Sequence, residues 1–343
     1  MDKLDTAGVE VSVEVLVIAL KSNGQMRASE FPNTPSGHKQ LIGYLRRHSQ
    51  RLRICLESTG LYGLDLALAL QTQKGMEIMV ANPRSVRHFA EAMMQRSKTD
   101  PLDAKLLAEY AERMPFLAWQ PPSLPARRLC AMARAIHQLT EMNTMQKNRL
   151  HAAASTETTP KIVMTELRRS LAQQQRSIAR LLREAIQLIQ SDPVLQKRFQ
   201  LLLGIRGIRE MSALQLLGEL VLVPADCDVR QWVAYAGLDP RQYKSGNSVE
   251  KKVRISKVGN RHLRRALYMP ALVAVRHQPH FRAYYQHLRA KGKLKMVALV
   301  AVMRKLLHGI YGVFKSLEPF DATKLFSSIA PAFEPKITKE IAC

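Results

Sequence analysis

Apolar residues near the start of the chain recur at every second position. Between residues 7 and 20, Val9, Val11, Val13, Val15 and Val17 alternate with mainly polar residues. A period of two with β-branched side chains predicts a β-strand that is buried on one face. We therefore predict one strand over this segment, with its acidic residues on the opposite face.

Shorter apolar runs and turn signals follow. Ser22-Asn23-Gly24 predicts a hairpin turn into a second strand over residues 26–31. Further strands are predicted over residues 51–57 and 76–80, with a helix over residues 61–71 between them. Strands first, followed by alternating strands and helices, are typical of a mixed α/β sheet layer.

The pattern becomes helical from about residue 126 to residue 189, after a proline-rich segment at residues 119–125 that reads as a linker. Leucine and isoleucine recur there with a heptad spacing, which predicts a helical hairpin or a short coiled coil. A single helix packed on its own domain remains the alternative. The heptad members are Leu167, Leu171, Ile178, Leu181 and Leu188, with Gln174 and Ala185 as weak members.

The fold class predicted from these patterns is α/β plus all-α. The predicted domains are an α/β domain over residues 1–122, a helical linker over 123–192, a mostly helical domain over 193–320 and a tail over 321–343. Gly204 and Gly207 lie in a segment that resembles a helix-hairpin-helix element. An ordinary turn between helices explains these two glycines equally well.

The net charge of the chain indicates which class of partner it binds. The 343 residues include 52 Lys and Arg but 28 Asp and Glu, a net charge of +24, which favours a polyanionic partner. A membrane surface is disfavoured, because no run of 18 apolar residues and no signal-peptide layout is present. The four cysteines are scattered and predict neither a zinc site nor a disulfide framework. We expect a cytoplasmic nucleic-acid-binding protein.

Four carboxylates stand out in this basic chain. Glu10 lies on the first predicted strand, Glu57 ends a later strand, and Asp100 and Asp103 begin a helix. Residues three apart share a helix face, and Mg²⁺ prefers carboxylate oxygens while leaving positions open for phosphate. Capping of the helix by Asp100, with Pro101 at its first position, and solvation of the two glutamates are the alternatives.

A serine in a glycine-containing turn is the second candidate for chemistry. Ser245 precedes Gly246, and between Arg241 and Arg276 ten Lys and Arg accompany one acid, Glu250. A hydroxyl among cations is placed to meet a phosphodiester, although an ordinary turn serine is the alternative. The residues predicted to bind nucleic acid are Lys244, Lys251, Lys252, Arg254, Lys257, Arg261, Arg264 and Arg265.

These residues, in this order, resemble a known family of enzymes. The chain is similar to the DEDD transposases of the insertion-sequence one-hundred-and-ten group, the bridge-RNA-guided recombinases. The resemblance covers roughly residues 5–320. The segments that carry it are Ala7-Gly8-Val9-Glu10-Val11-Ser12, Leu56-Glu57-Ser58-Thr59-Gly60, Lys98-Thr99-Asp100-Pro101-Leu102-Asp103-Ala104, Ala236-Gly237-Leu238-Asp239-Pro240, Tyr243-Lys244-Ser245-Gly246 and Arg264-Arg265-Ala266-Leu267-Tyr268-Met269-Pro270.

The resemblance implies an RNase H-like, RuvC-like domain with an acidic tetrad, a coiled-coil linker and a C-terminal transposase domain with a nucleophilic serine. By position the tetrad falls on Glu10, Glu57, Asp100 and Asp103, and the serine on Ser245. It further implies Mg²⁺, donor and target DNA, a bridge RNA encoded by the element, a covalent serine–DNA intermediate, and a dimer or tetramer in the bacterial cytoplasm.

The first tetrad position departs from the family pattern, which has Asp where this chain has Glu10. The extra methylene moves the carboxylate, and Mg²⁺ demands near-ideal geometry. Asp5 is a nearby alternative, but it is predicted to precede the strand and to miss its register. Two other functions compete: a RuvC-like nuclease of the junction-resolving type that uses water as nucleophile, and a non-catalytic nucleic-acid-binding protein.

Overall fold

The computed structural model describes residues 4–57, 60, 62–245 and 249–326, without the side chains of residues 245 and 249–252. The predicted turn after Ser245, the side chains of Ser245, Lys251 and Lys252, and most of the predicted tail therefore lie outside the described residues. The chain divides into two compact units, Met1–Pro121 and Pro122–Cys343. The predicted division of the second unit into a linker and a transposase domain stays a prediction.

The first unit is built on one mixed sheet. Its strands are β1 (Asp5–Val11), β2 (Val15–Ser22), β3 (Gln25–Pro32), β4 (Leu52–Glu57) and β5 (Met76–Ala81). They lie in the order β3-β2-β1-β4-β5. The pairs among the first three strands are antiparallel, and β4 is parallel to both β1 and β5. This mixed α/β architecture is consistent with the predicted RNase H-like domain.

The prediction of one strand over residues 7–20 is wrong. A turn interrupts it, in which the Ser12 hydroxyl accepts from the Val15 amide and donates to the Val15 carbonyl. Val17 pairs with Glu10 across β1 and β2 and is buried beside Ala104, whereas Val9 packs in the core on the other face of the sheet. The hairpin predicted at residues 22–24 is confirmed, with Gly24 at φ +77°.

Helices cover both faces of this sheet. They are α1 (Pro35–His48), α2 (Leu64–Gln71), α3 (Pro83–Ala92) and α4 (Asp100–Arg113). The side chains of α1 and α2 pack on the face that carries Val9, and α4 packs on the opposite face. Gly8 permits this close approach, because a Cβ atom at that position would lie 2.0 Å from the Ala104 carbonyl oxygen. The backbone of α4 therefore rests directly on β1.

Sequence patterning missed α3. Asn82-Pro83 reads as the end of a strand, but the Asn82 side chain accepts a hydrogen bond from the Arg84 amide and caps a helix. Pro83 occupies the first turn of that helix, where no amide hydrogen is needed. The same two residues therefore end β5 and begin α3.

The second unit begins with two 31-residue helices, α5 (Leu124–Ala154) and α6 (Lys161–Ser191), which pack along one another as a hairpin. A hairpin is one of the predicted alternatives. The heptad positions differ from expectation in their burial, since Gln174 and Ala185, the weak members, are buried, while Leu181 and Leu188 are only partly buried.

A helical core with one β-hairpin completes this unit. Its helices are α7 (Pro193–Leu203), α8 (Glu210–Leu220), α9 (Val229–Tyr235), α10 (Arg261–Ala266), α11 (Tyr268–His277), α12 (Pro279–Ala290), α13 (Lys295–Ser316) and α14 (Ala322–Phe326). The strands β6 (Pro240–Ser245) and β7 (Val249–Ile255) form an antiparallel pair between α9 and α10. The turn between α7 and α8 contains Gly207 at φ +103°.

Among the described residues, one helix is long and apolar enough to cross a membrane by length and composition. This helix is α13, and 56% of its most apolar stretch is buried inside the protein. It packs against α7, α9, α11 and α12. Its apolar character is therefore that of a core helix.

A buried ion pair connects three helices of the second unit. Glu219 of α8 is 2% exposed and accepts two hydrogen bonds from Arg134 of α5, at 2.7 and 2.8 Å. Glu219 also accepts from the Asn260 side-chain amide at 2.6 Å, and Asn260 caps α10 through its other side-chain atom. Burial opposes ionisation of Glu219, but the bonds from Arg134 and Asn260 outweigh it and lower the pKa of this carboxyl.

Removing this carboxylate is expected to destabilise the protein. Glu219→Ala leaves the guanidinium of Arg134 without its partner, so we expect the free energy of unfolding to fall by about 3–5 kcal/mol. Urea denaturation followed by circular dichroism measures this change. Glu166→Ala, at an exposed ion pair on α6 with Arg169, is the control and should cost about 0–1 kcal/mol. Equal effects of the two substitutions would contradict the assigned role of Glu219.

Candidate active site

Two glutamates lie side by side at the carboxyl ends of parallel strands. Val9 of β1 is in register with Leu56 of β4, which places Glu10 beside Glu57 on the next step of the ladder. Side chains alternate between faces along a strand, so both glutamates lie on the same face as Gly8. This is the face on which α4 packs.

The first turn of α4 brings Asp100 and Asp103 to the same face. The helix begins at Asp100, and Thr99 is its N-cap without a side-chain capping bond. The prediction of Asp100 as N-cap is therefore wrong, and capping does not explain the two aspartates. Because Ala104 lies over Gly8, the residue before it, Asp103, is placed near the neighbouring part of β1.

The carboxylates influence one another electrostatically. Burial, followed by the charges of Glu57, Asp103 and Asp100, raises the pKa of Glu10 to about 7. Burial, opposed by the charge of Lys98 and reinforced by that of Asp103, raises the pKa of Glu57. The pKa of Asp103 is raised by burial and by Asp100. Four residues far apart in the sequence thus form one negatively charged neighbourhood.

The raised pKa of Glu10, caused first by burial and then by the neighbouring carboxylates, predicts how the stability of the metal-free protein depends on pH. The folded protein holds a proton on Glu10 up to about pH 7, whereas the unfolded chain loses it near the ordinary pKa of a glutamate, 4.5. The folded state binds more protons in this window, so stability falls as pH rises from about 4.5 to about 7. In Glu10→Gln this contribution is absent, and we expect a smaller fall in Tm between pH 5 and pH 8.

Thermal melts in a chelating buffer test this expectation. Glu30→Gln, which changes an exposed carboxylate on β3, is the matched control and should follow the wild-type dependence. A Glu10→Gln variant with an unaltered pH dependence would show that the pKa of Glu10 is not raised in the folded protein.

The donor set suits a hard divalent cation. In the part of the chain that the structure describes, no three His, Cys, Asp or Glu side chains are arranged to hold a metal ion as they stand. Carboxylate oxygens are nevertheless the ligands that such ions prefer, and burial together with the neighbouring carboxylates raises the pKa of Glu10 and Glu57. Binding at this cluster would therefore accompany rotation of the side chains and loss of protons.

Asp5 lies outside the carboxylate cluster, whereas Lys98 acts on it electrostatically. Asp5 is the first residue of β1, so the prediction that it precedes the strand is wrong. It lies on the face opposite to Glu10 by strand alternation and accepts a hydrogen bond from Ser22. Lys98 was not predicted as a site residue, although its charge lowers the pKa of Glu10 and Glu57. Its position two residues before Asp100 was the available signal.

The predicted serine turn is the end of a β-hairpin. Ser245 is the last residue of β6 and pairs with Val249. The base of this hairpin is fixed by Asp239, which accepts from the Ser256 hydroxyl at 2.5 Å and from the Ser256 amide through its carbonyl. Gly237, at φ +64°, ends α9 and accepts from the Lys257 amide. Asp239, Ser256 and Gly237 therefore have a structural role in placing the hairpin.

The predicted nucleic-acid-binding residues fall into two groups. Lys244, Arg254, Lys257 and Arg261 are exposed. Arg264 donates to the Ala236 carbonyl at 2.8 Å, and Arg265 forms an ion pair with Glu141. The last two arginines therefore also hold the second unit together.

Comparison with known proteins adds the following findings. A family model described as the transposase IS116/IS110/IS902 family matches residues 199–286. A second model, of the DEDD transposases of IS110, matches residues 7–158. The first match contains Ser245, and the second contains all four carboxylates of the cluster.

The chain is also similar to curated proteins along most of its length. It is 28% identical to the pilin gene-inverting protein of Moraxella bovis over 318 residues, which cover 92% of this chain and 97% of the relative. The pilin gene-inverting protein of Moraxella lacunata has the same identity and coverage. An uncharacterized 43.6 kDa protein of insertion element IS110 from Streptomyces coelicolor is 32% identical over 82 residues, 24% of this chain and 20% of the relative.

Proposed function

Since this chain belongs to the IS116/IS110/IS902 family of transposases and is an enzyme that cleaves and rejoins DNA, we propose that it does so through a covalent bond between Ser245 and DNA. The observation that carries the proposal is the placement of Ser245 at the end of an exposed hairpin with cations on both strands. A hydroxyl there can reach a phosphodiester that Lys244 and Arg254 hold.

The proposed reaction exchanges one phosphodiester bond for another. The Ser245 hydroxyl gives up its proton as its oxygen bonds to phosphorus, the bond to the leaving deoxyribose oxygen breaks, and that oxygen takes up a proton. A strand hydroxyl later attacks the serine phosphodiester, which rejoins DNA and frees Ser245. Each step replaces one phosphodiester bond with another of similar energy, so the reaction consumes no external source of energy.

The acidic cluster supplies the second part of the proposed site. DEDD transposases use divalent metal ions, and we propose Mg²⁺ here, held by Glu10, Glu57, Asp100 and Asp103. When bound, the ion would stabilise charge that develops on phosphate oxygens. The serine lies in the second compact unit and the carboxylates in the first, and the composite site that would join them on DNA belongs to the part of the proposal that follows from family membership.

Further parts of the proposal follow from family membership. A bridge RNA would pair with donor and target DNA and supply sequence specificity, and a dimer or tetramer in the bacterial cytoplasm would assemble the composite sites. The similarity to pilin gene-inverting proteins along 92% of the chain also supports inversion of a DNA segment as one outcome of strand exchange.

A RuvC-like nuclease is the competing function. Water would then attack the phosphodiester at the acidic cluster, and the products would be free DNA ends without attached protein. The cluster alone would account for this activity, whereas the match over residues 199–286 would have no catalytic part.

Trapping of a protein–DNA adduct separates the two functions. The full-length protein is incubated with end-labelled element-junction DNA, the RNA transcribed beside the gene, and Mg²⁺, then denatured and separated on a gel. We expect labelled DNA that migrates with the protein and that mass spectrometry assigns to the peptide containing Ser245. Cleaved ends without any adduct would favour the nuclease.

A further inference from the structure

A cavity of about 780 Å³ lies beside the β6–β7 hairpin in the second unit. One wall is formed by the hairpin, through Pro240, Val253 and Arg254, and the others are formed by α10, the start of α11, α12 and α13. Cavities of about 300–1,000 Å³ accommodate whole small ligands. The volume is therefore sufficient for a ligand larger than a single phosphate group.

Apolar and aromatic side chains line much of this cavity. Val253, Met296 and Val297 are 55%, 56% and 49% exposed, and Tyr268 and Tyr284 lie among them. Exposed apolar side chains that cluster in a concave part of the surface are typical of ligand-binding sites. A ligand that offered only phosphates would gain nothing from this part of the lining.

The remainder of the lining is strongly basic. Among the lining residues that the structure describes, seven are Lys or Arg and none is acidic. Burial, followed by the charge of Arg304, lowers the pKa of Lys305 and of His308. These cations crowd one another without a carboxylate among the lining residues, so an anionic ligand would relieve their repulsion.

We propose that this cavity binds unpaired nucleotides of the DNA strand that continues to Ser245. Bases would lie against Val297 and Tyr268, and their phosphates would contact Arg254, Arg261 and Arg304. The bases of a duplex are paired and stacked and cannot enter, whereas an unpaired strand presents base faces to apolar and aromatic side chains. An acidic peptide would satisfy the cations but has few flat groups for the lining.

The position of the cavity connects this site with the proposed chemistry. Pro240 lines the cavity, and Ser245 lies five residues further along the same strand. At about 3.3 Å per residue this separation is about 17 Å. At the spacing of about 3.4 Å per nucleotide in a strand of duplex DNA this distance corresponds to about five nucleotides, and an extended unpaired strand covers it with fewer. The inference rests on the proposed function, because Ser245 defines which DNA strand is meant.

Binding of matched oligonucleotides tests the proposal without any substitution. Fluorescence anisotropy of the full chain is measured with a labelled 12-nucleotide DNA strand, its abasic counterpart with the same phosphates, the corresponding duplex and the corresponding RNA. We expect the intact DNA strand to bind at least about tenfold more tightly than the abasic strand, because stacked bases contribute to binding. Equal affinity for the intact and abasic DNA strands would overturn the proposal, whereas the duplex and the RNA measure binding to the separate surfaces that the proposed function requires.

Substitutions in the cavity lining test whether the preference for the intact over the abasic strand arises there. Tyr268→Ala combined with Val297→Ser should bring the intact and abasic strands to within about twofold of each other, while Arg304→Gln should weaken both. Ile162→Ser, at an exposed apolar residue of α6, is the control and should retain the wild-type preference. A preference that persists in the Tyr268/Val297 variant, with an unchanged circular dichroism spectrum, would place the bases elsewhere.

The outcome is independent of the adduct experiment. A wild-type protein that forms the Ser245 adduct but binds the intact and abasic strands equally would reject the cavity and leave the proposed function intact. A protein that cleaves DNA without an adduct, but whose base preference depends on Tyr268, would reject the serine mechanism and retain the cavity as a nucleotide-binding site.

Discussion

Ser245→Ala is expected to abolish covalent attachment to DNA and to lower strand transfer by about 10⁴-fold or more. The substitution removes the proposed nucleophile, and positioning by the remaining residues cannot replace it. DNA binding should change by less than about twofold, because Lys244 and Arg254 are retained. The measurements are adduct formation on denaturing gels, strand transfer with labelled junction DNA, and binding by anisotropy.

A second serine of the same hairpin serves as the control. Ser256→Ala removes a hydroxyl that donates to Asp239 at the base of the hairpin, so it affects local structure without affecting the proposed nucleophile. We expect this variant to form the adduct, at a reduced level if the hairpin loosens. Strand transfer that survives in Ser245→Ala would remove the serine mechanism and favour water as the nucleophile.

Neutralisation of the acidic cluster is expected to have the second largest effect. Glu57→Gln and Asp103→Asn should each lower cleavage by about 10³-fold or more, since loss of metal-assisted charge stabilisation is worth several kcal/mol and each 1.36 kcal/mol is tenfold. The same variants should melt at a higher temperature than the wild type in chelating buffer at pH 8. The raised pKa values of Glu57 and Asp103 give this sign, because their ionised forms are unfavourable in the folded protein.

Loss of activity together with a gain in stability distinguishes a functional residue from a structural one. Glu77→Gln is the matched control, since Glu77 is a strand carboxylate in an ion pair with Arg53. It should retain cleavage and gain no stability. If Glu57→Gln and Asp103→Asn keep cleavage within tenfold of the wild type, the carboxylates do not hold a catalytic metal.

The sequence predicted the sheet better than its connections. The valine alternation identified strand character, but residues 12–14 contain no glycine, proline or asparagine, so nothing in the pattern indicates the turn between β1 and β2. The β6–β7 hairpin was interpreted only as a turn, because its strands consist mostly of basic and polar residues without apolar alternation. These two strands are stabilised by pairing with each other, and the sequence pattern does not indicate that pairing.

The sequence predicted the acidic residues of the candidate site, but it did not predict the long-range contacts and the cavity in the second unit. Glu10 and Glu57 follow apolar strands, and strand ends meet at one edge of a parallel sheet, which a sequence can indicate. The partnership of Glu219 with Arg134 and Asn260 joins residues 41 to 85 positions apart, and no local pattern indicates it. The same holds for the cavity, whose lining comes from separate segments.

Gly8 has a consequence for how mutational screens of this enzyme are interpreted. Any side chain at this position would displace the Ala104 carbonyl from β1 and shift the helix that carries Asp100 and Asp103. A screen scored only by transposition would rank Gly8 with the acidic residues, although it has no reactive group. Deep mutational maps therefore require a parallel score for folded protein abundance before a depleted position is counted as part of the chemistry.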